Sequence, residues 1–432
     1  MRPTTITDPE PTARTSSVTG EPRPTDPARR LSRTEVVTLV LGLALAVVVG
    51  VDGPAPWAPV RAMVALIVTG AVMYAIRRTG THRRGTPLVV FGLVGIIAGG
   101  AIGVFHAVKV GVTVESVAGI AALATGVWLV GVGTVTLTRR ARGWRKLLAV
   151  PVGVGVAVLV VAPLTLATAV TNPPPLELGD ATPDDAGLTY EDVSLRTDDG
   201  VRLTAWYVSS TNGAAVVVLP GAGSTRSAEI DHAAVLARHG YGVLLVDVRG
   251  HGGSDGDAML WGWFGDADVH AAVTWLGSRP DVTPSRIGAV GMSMGAEEAI
   301  GAAASDPRIQ AVVAEGATAR GARDEGDPAT GAGGLFTRYI DWTTAHAADL
   351  MTAADRPIKL RDAVAAASPR PIMIIAAGTL APEVDAAHVF QAAAPSSVEL
   401  WIVPGAKHTE AYDVHPVEWE RRVIAFLDAS LP

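Results

Sequence analysis

Five stretches in the first 171 residues are almost free of charge, and they constrain this chain more than any other feature. They cover residues 36–51, 58–76, 88–108, 116–138 and 147–171. A helix crossing the hydrocarbon core of a bilayer needs about 20 apolar residues, within a range of roughly 17–25. A single run of this kind is compatible with a buried core helix. Five in succession leave too little polar chain to cover them, so the expected structure is a helical bundle of about five membrane spans. The first run is short, and Trp57 and the flanking arginines are suited to anchor its ends. It makes a poor secretion signal, because more than 30 residues precede it and the following GPAPWAP is a poor cleavage site.

Arginines set the expected orientation. Arg29, Arg30 and Arg33 precede the first run, and Arg77, Arg78, Arg83 and Arg84 lie between the second and third. Arg139, Arg140, Arg142, Arg145 and Lys146 lie between the fourth and fifth, whereas Arg61 and Lys109 are the main charges near the other two loops. Basic loops stay in the cytoplasm. The expectation is a multi-pass protein of the cell membrane with a cytoplasmic N-terminus and everything beyond Thr171 outside the cytoplasm. No charged side chain lies centrally in any run, which disfavours an ion or proton pathway. Gly95, Gly99 and Gly103 share one face of the third run and allow close helix packing, read as an ordinary contact within the bundle.

Charge divides the chain at the same place. Residues 1–171 hold 17 Lys and Arg against 7 Asp and Glu, and residues 172–432 hold 18 against 35. The acidic second part, and basic residues confined to short clusters between apolar runs, exclude a nucleic-acid partner. The bilayer is the expected partner of the first part. Cysteine is absent, which excludes a disulfide framework, a Cys-ligated metal and a cysteine nucleophile; no metal or cofactor is expected. Residues 1–35 begin with an arm rich in Pro, Thr, Ser and Arg, expected to be disordered. Residues 172–187, NPPPLELGDATPDDAG, are expected to form an extended, solvated linker.

From residue 188 to 432 the pattern is that of an α/β domain. EDVSLRT and RLTAWYV flank a DDG turn and predict a hairpin. Apolar, β-branched runs at 215–219, 242–246, 287–290, 309–313, 372–376 and 398–403 then alternate with helical segments. This alternation predicts a mostly parallel sheet covered by helices on both faces. The run IGAVGMSMG followed by AEEAIGAAA reads as strand, G-x-S-x-G turn and helix. Such a turn projects the hydroxyl of Ser293 from the sheet edge, with the N–H groups of the next helix facing developing negative charge.

Four further segments match in order and make the chain resemble the α/β-hydrolase family over residues 188–432: VVVLPGAGS, LLVDVRGHGGSDG, WIVPGAKHTEAY and VEWERRVIAFL. In the first, Pro220 stands where the family usually has a His. The resemblance implies oxyanion donors at the backbone N–H groups of Ala222 and Met294. It implies a Ser293 nucleophile and a His408 base in the loop after the last strand, with His415 the fallback and His251 shaping the RGHGG turn. The family's acid follows the strand before the last, but Ala381 occupies the expected position. Glu383 is preferred, with Asp385 and Glu315 as alternatives. Glu297 and Glu298 follow the elbow; one is expected to face inward and pair with an arginine. A lid insertion is expected at about 317–369, with Phe336, Tyr339 and Trp342 packed on the core in preference to lining an acyl pocket. Trp261, Trp263 and Phe264 form a second aromatic cluster, facing substrate or the membrane surface.

The resulting expectation is a membrane-anchored serine hydrolase acting on a small-molecule or lipid acyl substrate through an acyl-enzyme. Acyl transfer or peptide hydrolysis uses the same chemistry, and a non-catalytic hydrolase-like binding module is the alternative outside it. Topology has a direct check. Alkaline phosphatase fused after Pro432 is expected to be active and green fluorescent protein fused there dark; the reverse pattern contradicts an external hydrolase domain.

Overall fold

The computed structural model describes residues 31–51, 58–78, 84–109, 111–139, 143–174, 176–321 and 331–432. The N-terminal arm up to residue 30, Trp57 and Arg29, Arg30, Arg83, Arg140 and Arg142 lie outside these. Seven helical pieces come first: α1 (Arg33–Val51), α2 (Ala58–Arg78), α3 (Gly85–Ala98), α4 (Phe105–Lys109), α5 (Val114–Thr138), α6 (Ala149–Val156) and α7 (Ala162–Thr171). Short π-helical segments, Gly99–Val104 and Ala157–Val161, join α3 to α4 and α6 to α7. The result is five helices long and apolar enough to cross a membrane. Their outer surface is apolar as well: Ile67 is 62% exposed and Val150 67%. Contiguous apolar surface on this scale is unsuited to water.

Close approach holds the bundle together. Leu41, Leu45, Phe91, Ala122 and Leu129 form its small interior. A Cβ on Gly99 would lie 2.5 Å from the Gly119 carbonyl oxygen, and one on Gly103 2.4 Å from the Gly119 carbonyl carbon. The glycine stripe of the third run is therefore the seam between α3 with its π-helical extension and α5, as its spacing suggests.

The remaining elements are β1 (Glu191–Arg196), β2 (Arg202–Val208), β3 (Ala215–Leu219), α8 (Ile230–Arg238), β4 (Gly242–Asp247), α9 (Gly265–Gly277), β5 (Ile287–Met292), α10 (Met294–Ser305), β6 (Ile309–Glu315), α11 (Gly331–Met351), α12 (Leu360–Ala367), β7 (Ile372–Ala377), α13 (Ala381–Ala393), β8 (Val398–Val403), α14 (Ala411–Val414) and α15 (Pro416–Ser430). The sheet has eight strands in the order β1-β2-β4-β3-β5-β6-β7-β8. β2 runs antiparallel to both of its neighbours, and the pairs from β4 to β8 are parallel. This is the mostly parallel sheet of an α/β-hydrolase, preceded by five apolar helices.

Alternation along the strands builds two cores. Ala215, Val217 and Leu219 of β3 face α9, α10, α12 and α13, whereas Val216 and Val218 face α8 and α15. Both faces are apolar because both are covered, which is why the central strands read as unbroken apolar runs.

The segment after α7 departs from the expected free linker. Leu178 packs against the domain core, Leu176 pairs with His251, and the Gly252 N–H donates to the Leu176 carbonyl at 2.8 Å. Its alternating leucines are half-buried, Leu176 beside the turn after β4 and Leu178 against the core under α8 and α15. Seam packing predicts the outcome of two substitutions. Gly103→Leu is expected to lower unfolding stability in detergent by about 1–3 kcal/mol, the usual cost of overpacking. Gly153→Leu, whose Cβ would meet nothing within 4 Å, is expected to leave the midpoint unchanged.

Candidate active site

Strand β5 ends at Met292 and helix α10 starts at Met294, so a single residue makes the turn between them. Ser293 takes φ 52° and ψ −115°, a conformation that L residues avoid. Among the described residues only Ser293 and Thr409 are non-glycine residues with positive φ. They are the elbow serine and the neighbour of His408. Strain of this kind persists where surrounding structure over-determines it. Here the Ser293 N–H donates to the Glu315 carbonyl at 2.7 Å, and a Cβ on Gly295 would lie 2.4 Å from the Leu219 carbonyl oxygen. The turn fits only because position 295 has no side chain.

Three loop regions meet at the carboxyl ends of the parallel strands. His408 lies after β8, with Nε2 2.8 Å from Ser293 Oγ and Nδ1 2.5 Å from Glu383 Oε1. A carboxylate only accepts, so Nδ1 carries the proton and Nε2 accepts from the serine hydroxyl. Glu383 is buried, and its Oε2 accepts from the Ala377 N–H at 2.9 Å. Hydrogen bonding to Glu383 raises the His408 pKa above the ordinary histidine value, against the opposing effect of burial. Gly221, in the turn after β3, lies against the serine, since a Cβ there would be 3.3 Å from Ser293 Cβ. Ala222 is the next residue in that exposed turn, and Met294 opens α10.

The other candidates sit elsewhere. Asp385 is exposed on the far side of the same helical turn. Glu315 accepts from the Ala411 N–H at 2.9 Å and from Trp419 Nε1 at 3.1 Å, which directs it into the opposite core. His415 Nε2 contacts the Pro404 carbonyl, and buried His251 contacts the Arg249 carbonyl within its own turn. Glu383 was expected in a loop but stands in the first turn of α13. Pro382, at the start of that helix, was the available signal.

Both Glu297 and Glu298 are buried, rather than one alone. Among the described residues Glu297 makes no direct arginine pair; it accepts from the Thr318 and Ala319 N–H groups at 3.0 Å each, and burial pushes its pKa up to about 7. Glu298 packs against Gly262 and Gly265, and burial raises its pKa well above the ordinary carboxylate range. The expected core packing of Phe336, Tyr339 and Trp342 does not occur. All three are exposed on α11, because the opposite face, with Ala347 and Ala348, is the one that docks. The GDPATGAGG stretch before them falls mainly outside the described residues.

Two buried ion pairs brace the loops and were not foreseen. Asp247 accepts from the Arg226 N–H at 2.8 Å and from its guanidinium, which stacks over Trp206 at 4.3 Å. Asp268 holds Arg249 through the backbone N–H at 2.9 Å and through Nε and Nη2 at 2.9 and 2.7 Å. Arg226 follows β3 and Asp247 ends β4, 21 residues apart, so no local spacing reveals the pair.

The model of the X-Pro dipeptidyl-peptidase (S15) family matches residues 168–406, more than half of the chain. The chain belongs to this family. The S15 match stops two residues short of His408. Curated relatives match smaller parts of the chain. An uncharacterized protein of Mycobacterium tuberculosis is 41% identical over 119 residues, 27% of this chain and 42% of that protein. A polyketide transferase of Stachybotrys chlorohalonatus is 37% identical over 138 residues, 30% of this chain and 45% of the transferase. A thiohydrolase of Aspergillus aculeatus is 32% identical over 142 residues, 31% of this chain and 43% of the thiohydrolase. The chain thus spans less than half the length of these relatives. Among solved structures, the Pyrococcus furiosus esterase Pf2001 is 29% identical, covering 60% of this chain and 98% of that chain, with a TM-score of 0.48.

The brace between the loops is separately testable. Asp247→Ala leaves a buried guanidinium unpaired and is expected to cost about 3–5 kcal/mol in chemical unfolding. Asp255→Ala removes a pair with Arg202 that is open to solvent on both sides and is expected to cost less than about 1 kcal/mol.

Proposed function

We propose that this protein is a membrane-anchored serine hydrolase that cleaves an acyl ester through Ser293, His408 and Glu383, with the hydrolase domain outside the cytoplasm. The continuous chain Ser293 Oγ–His408 Nε2 and His408 Nδ1–Glu383 Oε1 is the observation that carries this reading. Ser293 Oγ attacks the acyl carbonyl carbon while His408 Nε2 takes its proton. Glu383 holds the imidazole tautomer and stabilises the imidazolium. The Ala222 and Met294 N–H groups are assigned to the carbonyl oxygen as it becomes anionic. His408 returns the proton to the departing alcohol, and water then releases the acid from the acyl-enzyme by the same steps.

Membership of the X-Pro dipeptidyl-peptidase family favours a second reading, hydrolysis of a peptide bond after proline, through the same residues. Hydrolysis of 4-nitrophenyl acyl esters and of an Ala-Pro-4-nitroanilide separates the two: ester turnover without anilide turnover supports the first, the reverse the second. In either case Ser293→Ala is expected to lower kcat by at least ~10³, the scale of losing one member of a triad. Full activity in that variant contradicts the assignment.

The pH profile adds an independent check. His408 acts as a base only when neutral, and its pKa is raised by Glu383. In the wild type, kcat/KM is therefore expected to rise through a midpoint above the ordinary histidine value of about 6.5. Glu383→Gln removes the main cause of that shift, so the midpoint is expected to fall as well as the rate. An unmoved midpoint contradicts the role given to Glu383.

A further inference from the structure

Helix α11 lies beside the last apolar helix, with Ala347 and Ala348 also packed against Met259 and Trp263 of the catalytic domain. Met351 Sδ is 3.7 Å from Thr168 Oγ1, and Tyr339 Oη donates to the Leu159 carbonyl at 2.9 Å. The two contacts fix a parallel pair, because both chains run from the 339/159 contact to the 351/168 contact. Leu159 is twelve residues before Thr171, the end of α7, which is about 18 Å along a helix of 1.5 Å rise per residue. In a bilayer core of about 30 Å, that carbonyl is near mid-depth.

The contact has a chemical reason. Pro163 has no N–H and cannot donate to the carbonyl four residues earlier, which is that of Leu159. The backbone at this point is π-helical, over Ala157–Val161. An under-satisfied carbonyl is costly in hydrocarbon, where no water can reach it. The phenol of Tyr339 supplies a donor from outside the helix.

The rest of α11 suits the same surroundings. Leu335, Phe336, Tyr339, Trp342 and Leu350 are exposed and share one face at 100° per residue, with Arg338 and Asp349 along one edge. Thr344, Ala345, Ala347 and Ala348 are buried on the opposite side. The apolar face continues the exposed surface of the neighbouring helix, formed there by Leu159, Val160 and Leu166. An exposed apolar face of this width is suited to lipid.

The same place leads to the serine. Met259 and Trp263 form one apolar cluster with Ala167, Val170, Ala347 and Ala348, with Leu164 and Trp261 packed against it. The Leu260 N–H donates to the Val170 carbonyl at 2.9 Å. Gly262 lies against Met294, since a Cβ there would be 2.9 Å from Met294 Cγ. Met294 directly follows Ser293.

The geometry points to α11 as a lipid-contacting helix paired with the fifth span, and to a membrane lipid ester as the substrate, drawn from the lipid beside the α7–α11 pair and delivered to Ser293. The substrate half rests on the serine-hydrolase reading above; the placement of α11 does not.

The absence of native cysteine allows the placement to be measured in the full chain. Trp342→Cys and, as a water-exposed reference on the domain, Asp184→Cys are spin-labelled and reconstituted in phosphatidylcholine–phosphatidylglycerol liposomes. The ratio of accessibility to oxygen over a water-soluble nickel chelate is expected to be at least tenfold higher at position 342. Equal ratios overturn the placement. For the substrate half, 4-methylumbelliferyl oleate carried in the liposomes is compared with the water-soluble acetate. In the Leu335→Ser, Phe336→Ser, Trp342→Ser triple variant the oleate-to-acetate rate ratio is expected to fall at least tenfold. An unchanged ratio, or a wild type that turns over acetate alone, overturns the lipid substrate. Retention of both activities by Ser293→Ala would instead remove the hydrolase reading, with the spin-label result unaffected.

Discussion

Everything at the site depends on one tight turn. The chain must leave β5 and enter α10 within a single residue, and Ser293 accepts a backbone conformation that L residues avoid in order to do so. The turn is affordable because Gly295 lets α10 press onto the end of β3 and because the Ser293 N–H is satisfied by the Glu315 carbonyl. Both partners belong to strands adjacent to β5, so the strain is held by the sheet itself. A parallel sheet brings the ends of β3, β5, β7 and β8 to one edge, and the segments carrying Gly221, Ser293, Glu383 and His408 follow those ends.

The division of labour among buried carboxylates follows from what each can reach. Glu383 meets a histidine and a backbone N–H. Glu315 meets an indole N–H and a backbone N–H on the other face of the sheet. Asp247 and Asp268 meet arginines that fix the loops flanking the site. Glu297 meets backbone and hydroxyl donors among the described residues, and burial pushes its pKa up to about 7 against them. A buried carboxyl is stable only with partners of this kind.

Much of this was legible in the sequence, and the parts that were not share a cause. The eight strands follow from β-branched runs of strand length, and the glycine seam from its four-residue spacing. Ser293 and His408 stand out because short local patterns surround them. Glu383 was recognised as a residue but not as part of a helix, since Gly378, Thr379 and Leu380 read as the start of a loop and the helix-start signal of Pro382 went unused. The Arg226–Asp247 pair was invisible because its members meet only after two strands have paired. The aromatic face of α11 was assigned to the core for a similar reason. An amphipathic helix announces an apolar face, and nothing in its own sequence says whether protein or lipid will cover it.

The central claim is that Ser293 is the nucleophile activated by His408. Treatment of the full-length protein with a fluorophosphonate, followed by peptide mapping, tests it most directly. The predicted result is a single adduct on Ser293 that is lost in Ser293→Ala and slowed by orders of magnitude in His408→Ala. An adduct on another residue, or labelling that survives both substitutions, would contradict it.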